Sequence, residues 1–135
     1  MKPQITVEAL VGAPIEKVWE YFTNPDHIKN WYYASDDWCV PNATNNLVLN
    51  GRFLTRMESK DSTQGFDLEG VYTSVEPLEK IQYQIDDGRM VTIGFIKEGD
   101  AVRVVETFDP EDVNPIEMQK AGWQAILDNF KKYTE

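Results

Sequence analysis

Two charged residues stand where a sheet protein holds charge least easily. Strand parity carried through residues 81 to 106 puts Arg89 and Glu106 on the face that also carries Tyr83, Val91, Ile93 and Val104, the apolar side of the pattern. A charge there is costly unless paired or wetted. The two residues therefore read either as a polar anchor, with Arg89 orienting a ligand headgroup, or as a structural ion pair at the open rim of the sheet. Burial raises the proton affinity of a carboxyl, so Glu106 is also a candidate base, with Tyr72 or Tyr83 as its partner in proton transfer. No second carboxylate shares that face. His27, the only histidine, sits in the first turn of a short helix with no partner for a triad. Cys39 follows Trp38 and two aspartates, which would raise its thiol pKa. Asp86-Asp87 and Glu111-Asp112 lack the alternating spacing of a calcium loop, and the scattered single glycines cradle no phosphate. No metal and no cofactor is expected.

Composition narrows the partners. The chain has 135 residues, 41% of them apolar, and 13 basic against 23 acidic side chains give a net charge of −10. That supports one domain, residues 1–135, with a core large enough to fold without disulfides or metal. The negative field repels phosphate backbones and anionic headgroups, so nucleic acid is not an expected partner. A single cysteine excludes an internal disulfide framework and suits a reducing cytoplasm. No apolar run is long enough to insert in a membrane, and the opening Met-Lys-Pro-Gln lacks a secretion-signal pattern.

The elements that must position these residues follow from periodicity. Residues 5–11 alternate as a half-buried strand ended by Gly12; Pro14 opens a helix whose Ile15, Val18, Trp19 and Phe22 form one stripe. Pro25 ends that helix, and Asn24 caps a second short one over 25–32. Ala34 to Gly51 reads as a long loop, with a short strand at Leu47 to Leu49. Strands follow from Arg52 to Asp109, with Phe53, Thr55 and Met57, then Phe66, Leu68, Gly70 and Tyr72, then Ile81, Tyr83 and Ile85 facing inward. A three-residue turn at Asp86-Asp87-Gly88 sets Ile85 opposite Arg89, Tyr83 opposite Val91 and Ile81 opposite Ile93. A turn at Lys97 to Asp100 sets Phe95 opposite Val102, Ile93 opposite Val104 and Val91 opposite Glu106, which makes Arg89 and Glu106 diagonal neighbours. Asn114-Pro115-Ile116-Glu117 spells a capping box before a long helix with a broad apolar arc. Gly122 within it suggests that a strand or a bound molecule approaches there. The plan is α+β.

The ordered set Ala-Pro-Ile-Glu-Lys-Val-Trp at 13–19, Asn-Pro-Asp-His-Ile-Lys-Asn-Trp at 24–31, Asp-Asp-Trp at 36–38, Gly-Val-Tyr at 70–72, Asp-Gly-Arg at 87–89, Glu-Thr-Phe at 106–108 and Gly-Trp-Gln-Ala-Ile-Leu at 122–127 resembles the activator of heat-shock protein 90 ATPase homologue family, in the START-related helix-grip superfamily. The resemblance implies a helix-grip fold, a curved antiparallel sheet wrapped around a long C-terminal helix, with an internal cavity. The chaperone activator is similar only in its C-terminal domain.

The expected role is that of a cytoplasmic module, monomer or homodimer, binding a small hydrophobic or amphipathic molecule between the sheet and the last helix. Candidate lining residues are Trp38, Phe53, Met57, Phe66, Leu68 and Tyr72, joined by Tyr83, Val91, Gly122 and Ile126, with Arg89 and Glu106 supplying polarity. The alternatives are a cyclase- or aromatase-like enzyme using Glu106, Tyr72, Tyr83 and Arg89, and a chaperone-interacting protein.

Overall fold

The computed structural model describes residues 3–135; Met1 and Lys2 lie outside the described residues. The chain runs β1 (Ile5–Val11), α1 (Ile15–Thr23), α2 (Pro25–Ile28), β2 (Trp38–Asn45), β3 (Arg52–Ser59), β4 (Gly65–Glu76), β5 (Lys80–Ile85), β6 (Met90–Glu98), β7 (Ala101–Phe108) and α3 (Ile116–Thr134). All seven strands join one antiparallel sheet in the order β1-β7-β6-β5-β4-β3-β2. Register shifts at Cys39/Asn42 and at Tyr72/Ser74 mark bulges, which bend a strand and raise its twist. This is the expected α+β helix-grip architecture. No helix among the described residues is long and apolar enough to cross a membrane.

The inner face follows the predicted parity on β3, β5, β6 and β7, whereas Phe66, expected inward at the start of β4, is 49% exposed. Phe53, Thr55 and Met57 are buried on β3, and Val102, Val104, Glu106 and Phe108 on β7. The β5–β6 register is the expected one, with Ile81 opposite Ile93 and Tyr83 opposite Val91, and Gly88 takes φ 99° in the turn. The β6–β7 register differs by two residues: Ile93 faces Glu106, Phe95 faces Val104 and Val91 faces Phe108. The turn is tighter than expected because Glu98 pairs with Ala101, leaving Gly99 and Asp100 as its centre, and Gly99 takes the left-handed φ of 64° that such a loop favours.

Three further expectations are corrected. Residues 38–45 form β2, whereas Leu47 to Leu49 lie in the connection between β2 and β3. Pro41 falls inside the bulge of this edge strand, where its missing N–H costs no ladder bond. The second helix stops at Ile28 and continues to Trp31 as a turn. The capping box does not form: no side chain caps the start of α3, and Gln119 instead ties the preceding loop to the helix, donating from Nε2 to the carbonyls of Asn114 (2.8 Å) and Glu111 (3.1 Å) and accepting at Oε1 from the Glu111 amide (2.8 Å).

α3 lies against β1 and β7. Trp123 stacks on Phe108 at 3.9 Å, and farther along Phe130 meets Phe22 at 5.0 Å and Trp31 at 4.7 Å. Phe22 in turn meets Phe95 at 5.4 Å. These rings occupy the space between sheet and α3 that the sequence reading left hollow. The broad arc expected on α3 is correspondingly narrower, since Ile116 and Met118 are exposed.

Gly70 shows how the sheet positions a ring. It pairs with Phe53 on β3 and Ile85 on β5, and an added Cβ would stand 2.5 Å from the carbonyl oxygen of Gln84 and 2.8 Å from the Phe53 ring. The substitution Gly70→Ala is expected to destabilise the fold by about 1–3 kcal/mol through overpacking, measured by urea denaturation; an unchanged midpoint would show that Phe53 is not held by this contact.

Candidate functional site

A pocket of about 50 Å³ lies between the middle of the sheet and the segment around α2. Phe22 of α1, Ile28 and Trp31, Phe53 of β3, Leu68 of β4 and Ile93 of β6 form its apolar walls. Its polar wall comprises Tyr32, Thr44, Asn45, Thr55, Tyr72, Tyr83 and Glu106. The wall over α2 is held by specific bonds. Asn24 Oδ1 accepts from the Asp26 amide at 2.9 Å and starts the turn. The Trp31 indole donates to the Tyr21 carbonyl (3.0 Å), and Asn129 of α3 donates to the Trp31 carbonyl (2.8 Å). His27 stacks on Tyr21 and its Nδ1 lies 2.8 Å from the Tyr133 hydroxyl, so it ties α2 to α3.

Glu106 is the electrostatic centre of the pocket. It is 5% exposed, and burial alone pushes its carboxyl up to about 8, so at neutral pH it is mostly protonated. Among the described residues none forms a hydrogen bond or ion pair with this carboxyl, and no Lys, Arg or His lines the pocket. Tyr32 and Tyr83 both line the pocket with Glu106, and both hydroxyls are raised well above their ordinary value, first by burial. Tyr72 is raised likewise by burial, while its hydroxyl donates to Asn45 Oδ1, whose amide donates to the Thr23 carbonyl at 2.6 Å. The pocket thus presents a neutral carboxylic acid with free donor and acceptor capacity among aromatic rings.

The expected site residues divide into three groups. Phe53, Leu68, Tyr72, Tyr83 and Glu106 line this pocket. Trp38, Met57, Phe66 and Ile126 line a separate open groove of about 240 Å³ with Ala34 and Ser35; there Phe66, 49% exposed, contacts Trp38 at a ring separation of 6.0 Å. Arg89, Val91 and Gly122 line neither. Arg89 is not a neighbour of Glu106, because the two-residue difference at the β6–β7 turn carries them apart; its Nε bonds Asp87 Oδ2 at 2.9 Å within its own turn. Val91 is 1% exposed in the core, and nothing in the protein comes within 4 Å of a Cβ built on Gly122, so no strand approaches the helix there.

The sequence reading missed Tyr32, Asn45 and Thr44 as pocket residues. Thr55 was legible by parity with Phe53 and Met57, and Ile28 and Trp31 by their spacing on the helix expected over 25–32; the Asn-rich stretch carried no strand signal that would have placed Thr44 and Asn45.

A sequence profile described as Activator of Hsp90 ATPase homolog 1-like protein matches residues 12–135. The chain is 42% identical to an AHSA1-like protein from Aeromonas hydrophila, whose solution structure matches with a TM-score of 0.91 over 96% of this chain and 90% of that one. It is 52% identical to a protein from Cytophaga hutchinsonii, with a TM-score of 0.86 over 98% of this chain and 92% of that one. A Chromobacterium violaceum protein, 20% identical, shares the fold at a TM-score of 0.88, with 99% of each chain covered. No curated protein matches the sequence significantly.

The raised Glu106 carboxyl makes stability depend on pH with a definite sign. Between its ordinary value of 4.5 and its folded value of about 8 the folded state binds the proton more tightly than the unfolded chain, so stability is full below that window and falls as pH rises through it. At about 1.4 kcal/mol per tenfold difference in proton affinity, this group costs roughly 4 kcal/mol between pH 5 and pH 9. Glu106→Gln is expected to match the wild type near pH 5 and exceed it at pH 9 in urea denaturation; parallel pH profiles would refute the assignment.

Proposed function

The chain belongs to the family of Activator of Hsp90 ATPase homolog 1-like proteins, and from that membership together with the pocket we propose that it binds a small hydrophobic or amphipathic molecule, with the polar end at Glu106. The observation that carries this reading is the Glu106 carboxyl, on a residue only 5% exposed and without a protein partner, turned to a pocket that six aromatic side chains help to line. A buried polar group without a partner is destabilising, and natural folds retain few of them unless something else satisfies the group. Phe22, Trp31 and Phe53 supply apolar contact, and Glu106 offers both a donor and an acceptor.

Size sets a second condition. Sites for drug-sized ligands enclose roughly 300–1,000 Å³, against about 50 Å³ here. The pocket in this conformation suits a molecule of a few heavy atoms, and anything larger needs the segment carrying Ile28, Trp31 and Tyr32 to swing outward. The bonds from Asn129 and Tyr133 to that segment are the ones it would give up.

The enzyme alternative is weaker. Arg89 is engaged by Asp87 and the Tyr72 hydroxyl by Asn45, so a proton-transfer site would rest on Glu106 beside the Tyr32–Tyr83 pair, with no other acid on the pocket wall.

Titration with a neutral apolar probe, read by quenching of tryptophan fluorescence, tests the reading. Binding is expected in the wild type, weaker by about tenfold or more in Thr55→Phe, which fills the pocket while adding only apolar surface to a packed wall, and silent in Trp31→Phe. Equal affinity in wild type and the filled variant would place the probe elsewhere and remove the proposal.

A further inference from the structure

The chemistry of the pocket wall points beyond a generic apolar ligand, and this step rests on the binding reading above. Six aromatic side chains, Phe22, Trp31, Tyr32, Phe53, Tyr72 and Tyr83, surround the same space as one carboxyl. Their planes differ: Tyr72 stands at 87° to Tyr83, Phe53 at 72° to Tyr83 and Phe22 at 39° to Trp31, so the walls meet at corners rather than forming a flat slot. A flat slot suits a planar ring; a cornered box suits a compact, roughly spherical group. Aromatic faces carry negative potential that attracts cations, most strongly where water is excluded.

The charge inventory agrees. The ionisable groups facing the Glu106 carboxyl are Tyr32, Tyr72 and Tyr83, contributed by the segment after α2, by β4 and by β5. None of them is cationic. His27 on α2 turns instead to Tyr21 and Tyr133, and Arg89 on the far side of the β5–β6 turn is held by Asp87. An anionic ligand would meet a carboxyl and no counter-charge, which desolvation makes prohibitive. The protein as a whole carries −10, which concentrates small cations around it and depletes anions.

We propose that this pocket is an aromatic cage for a small organic ammonium group, a methylated amine or the head of a choline-like molecule, with Glu106 as its counter-ion. The head fits a space of about 50 Å³ more readily than a fused ring system does, and it gives the Glu106 carboxylate the partner that the chain itself withholds. Because the carboxyl is held protonated when the pocket is empty, a bound cation displaces that proton, and affinity rises with pH through the range in which Glu106 ionises.

The test compares choline with its neutral carbon isostere, in which carbon replaces the quaternary nitrogen, by calorimetry on the intact chain at pH 6 and pH 9. Choline is expected to bind about tenfold or more tightly than the isostere at pH 9, to lose most of that margin at pH 6, and to release a proton seen as a buffer-dependent heat. Glu106→Gln, which keeps the side chain's size, should cut the preference severalfold and remove its pH dependence while still binding the isostere. Equal or tighter binding of the isostere at both pH values overturns the cage, as does a choline preference that keeps its full size and its pH dependence in Glu106→Gln, which would assign it to the acidic surface. If neither compound binds but the neutral apolar probe still enters, the cage falls and the apolar-ligand reading stands; if the probe also fails, both fall.

Discussion

The packing of Phe22, Trp31, Phe95 and Phe130 against one another decides where this fold is solid and where it is hollow. A helix laid across a curved sheet leaves more room than aliphatic side chains fill, and here four rings from α1, the turn after α2, β6 and α3 close one side of it. Aromatic residues bury large areas and pack edge to face, so such a cluster is stiff and leaves little void. What space remains is pushed toward β3, β4 and β5, under the segment that carries Trp31 and Tyr32. The pocket is therefore a consequence of where the rings are, and the same Phe22 and Trp31 belong to both the core and the pocket wall.

That arrangement explains how far the sequence could be read. Side-chain parity has a period of two, and it survives a two-residue slip in register. Glu106 was accordingly legible as an inward-facing charge, while its neighbours were not: the tight turn at Gly99-Asp100 put Ile93 opposite it and separated it from Arg89. The β5–β6 hairpin was legible because Gly88 fixes one turn geometry. β2 was hidden by Pro41 and three asparagines, residues that disfavour a central strand and are tolerated on an edge with a bulge. The location of the hollow was least legible, since it depends on how rings from four separate elements meet, which no local pattern records.

A buried acid without a counter-charge also costs stability at any pH where it ionises, and the rest of the molecule must supply the difference. The compensation is visible in the sheet that surrounds it: Val91, Val102, Val104 and Phe108 are nearly inaccessible, and β7 is paired along its length on both sides. Glu106 sits between Val7 of β1 and Ile93 of β6, paired on both sides, where local opening of the strand is costly.

The two borders of the sheet differ from its centre in what they offer a neighbour. On β1 the carbonyl of Glu8 accepts from Gln124, and the amide of Gly12, just past the strand, donates to Glu135, so the last helix occupies backbone groups that would otherwise recruit a foreign strand. On β2 a proline and a bulge break the ladder that another chain would need. A sheet capped in this manner resists sideways growth into polymers, and replacing Gln124 and Glu135 with side chains that cannot make these bonds would leave one flank of it sticky.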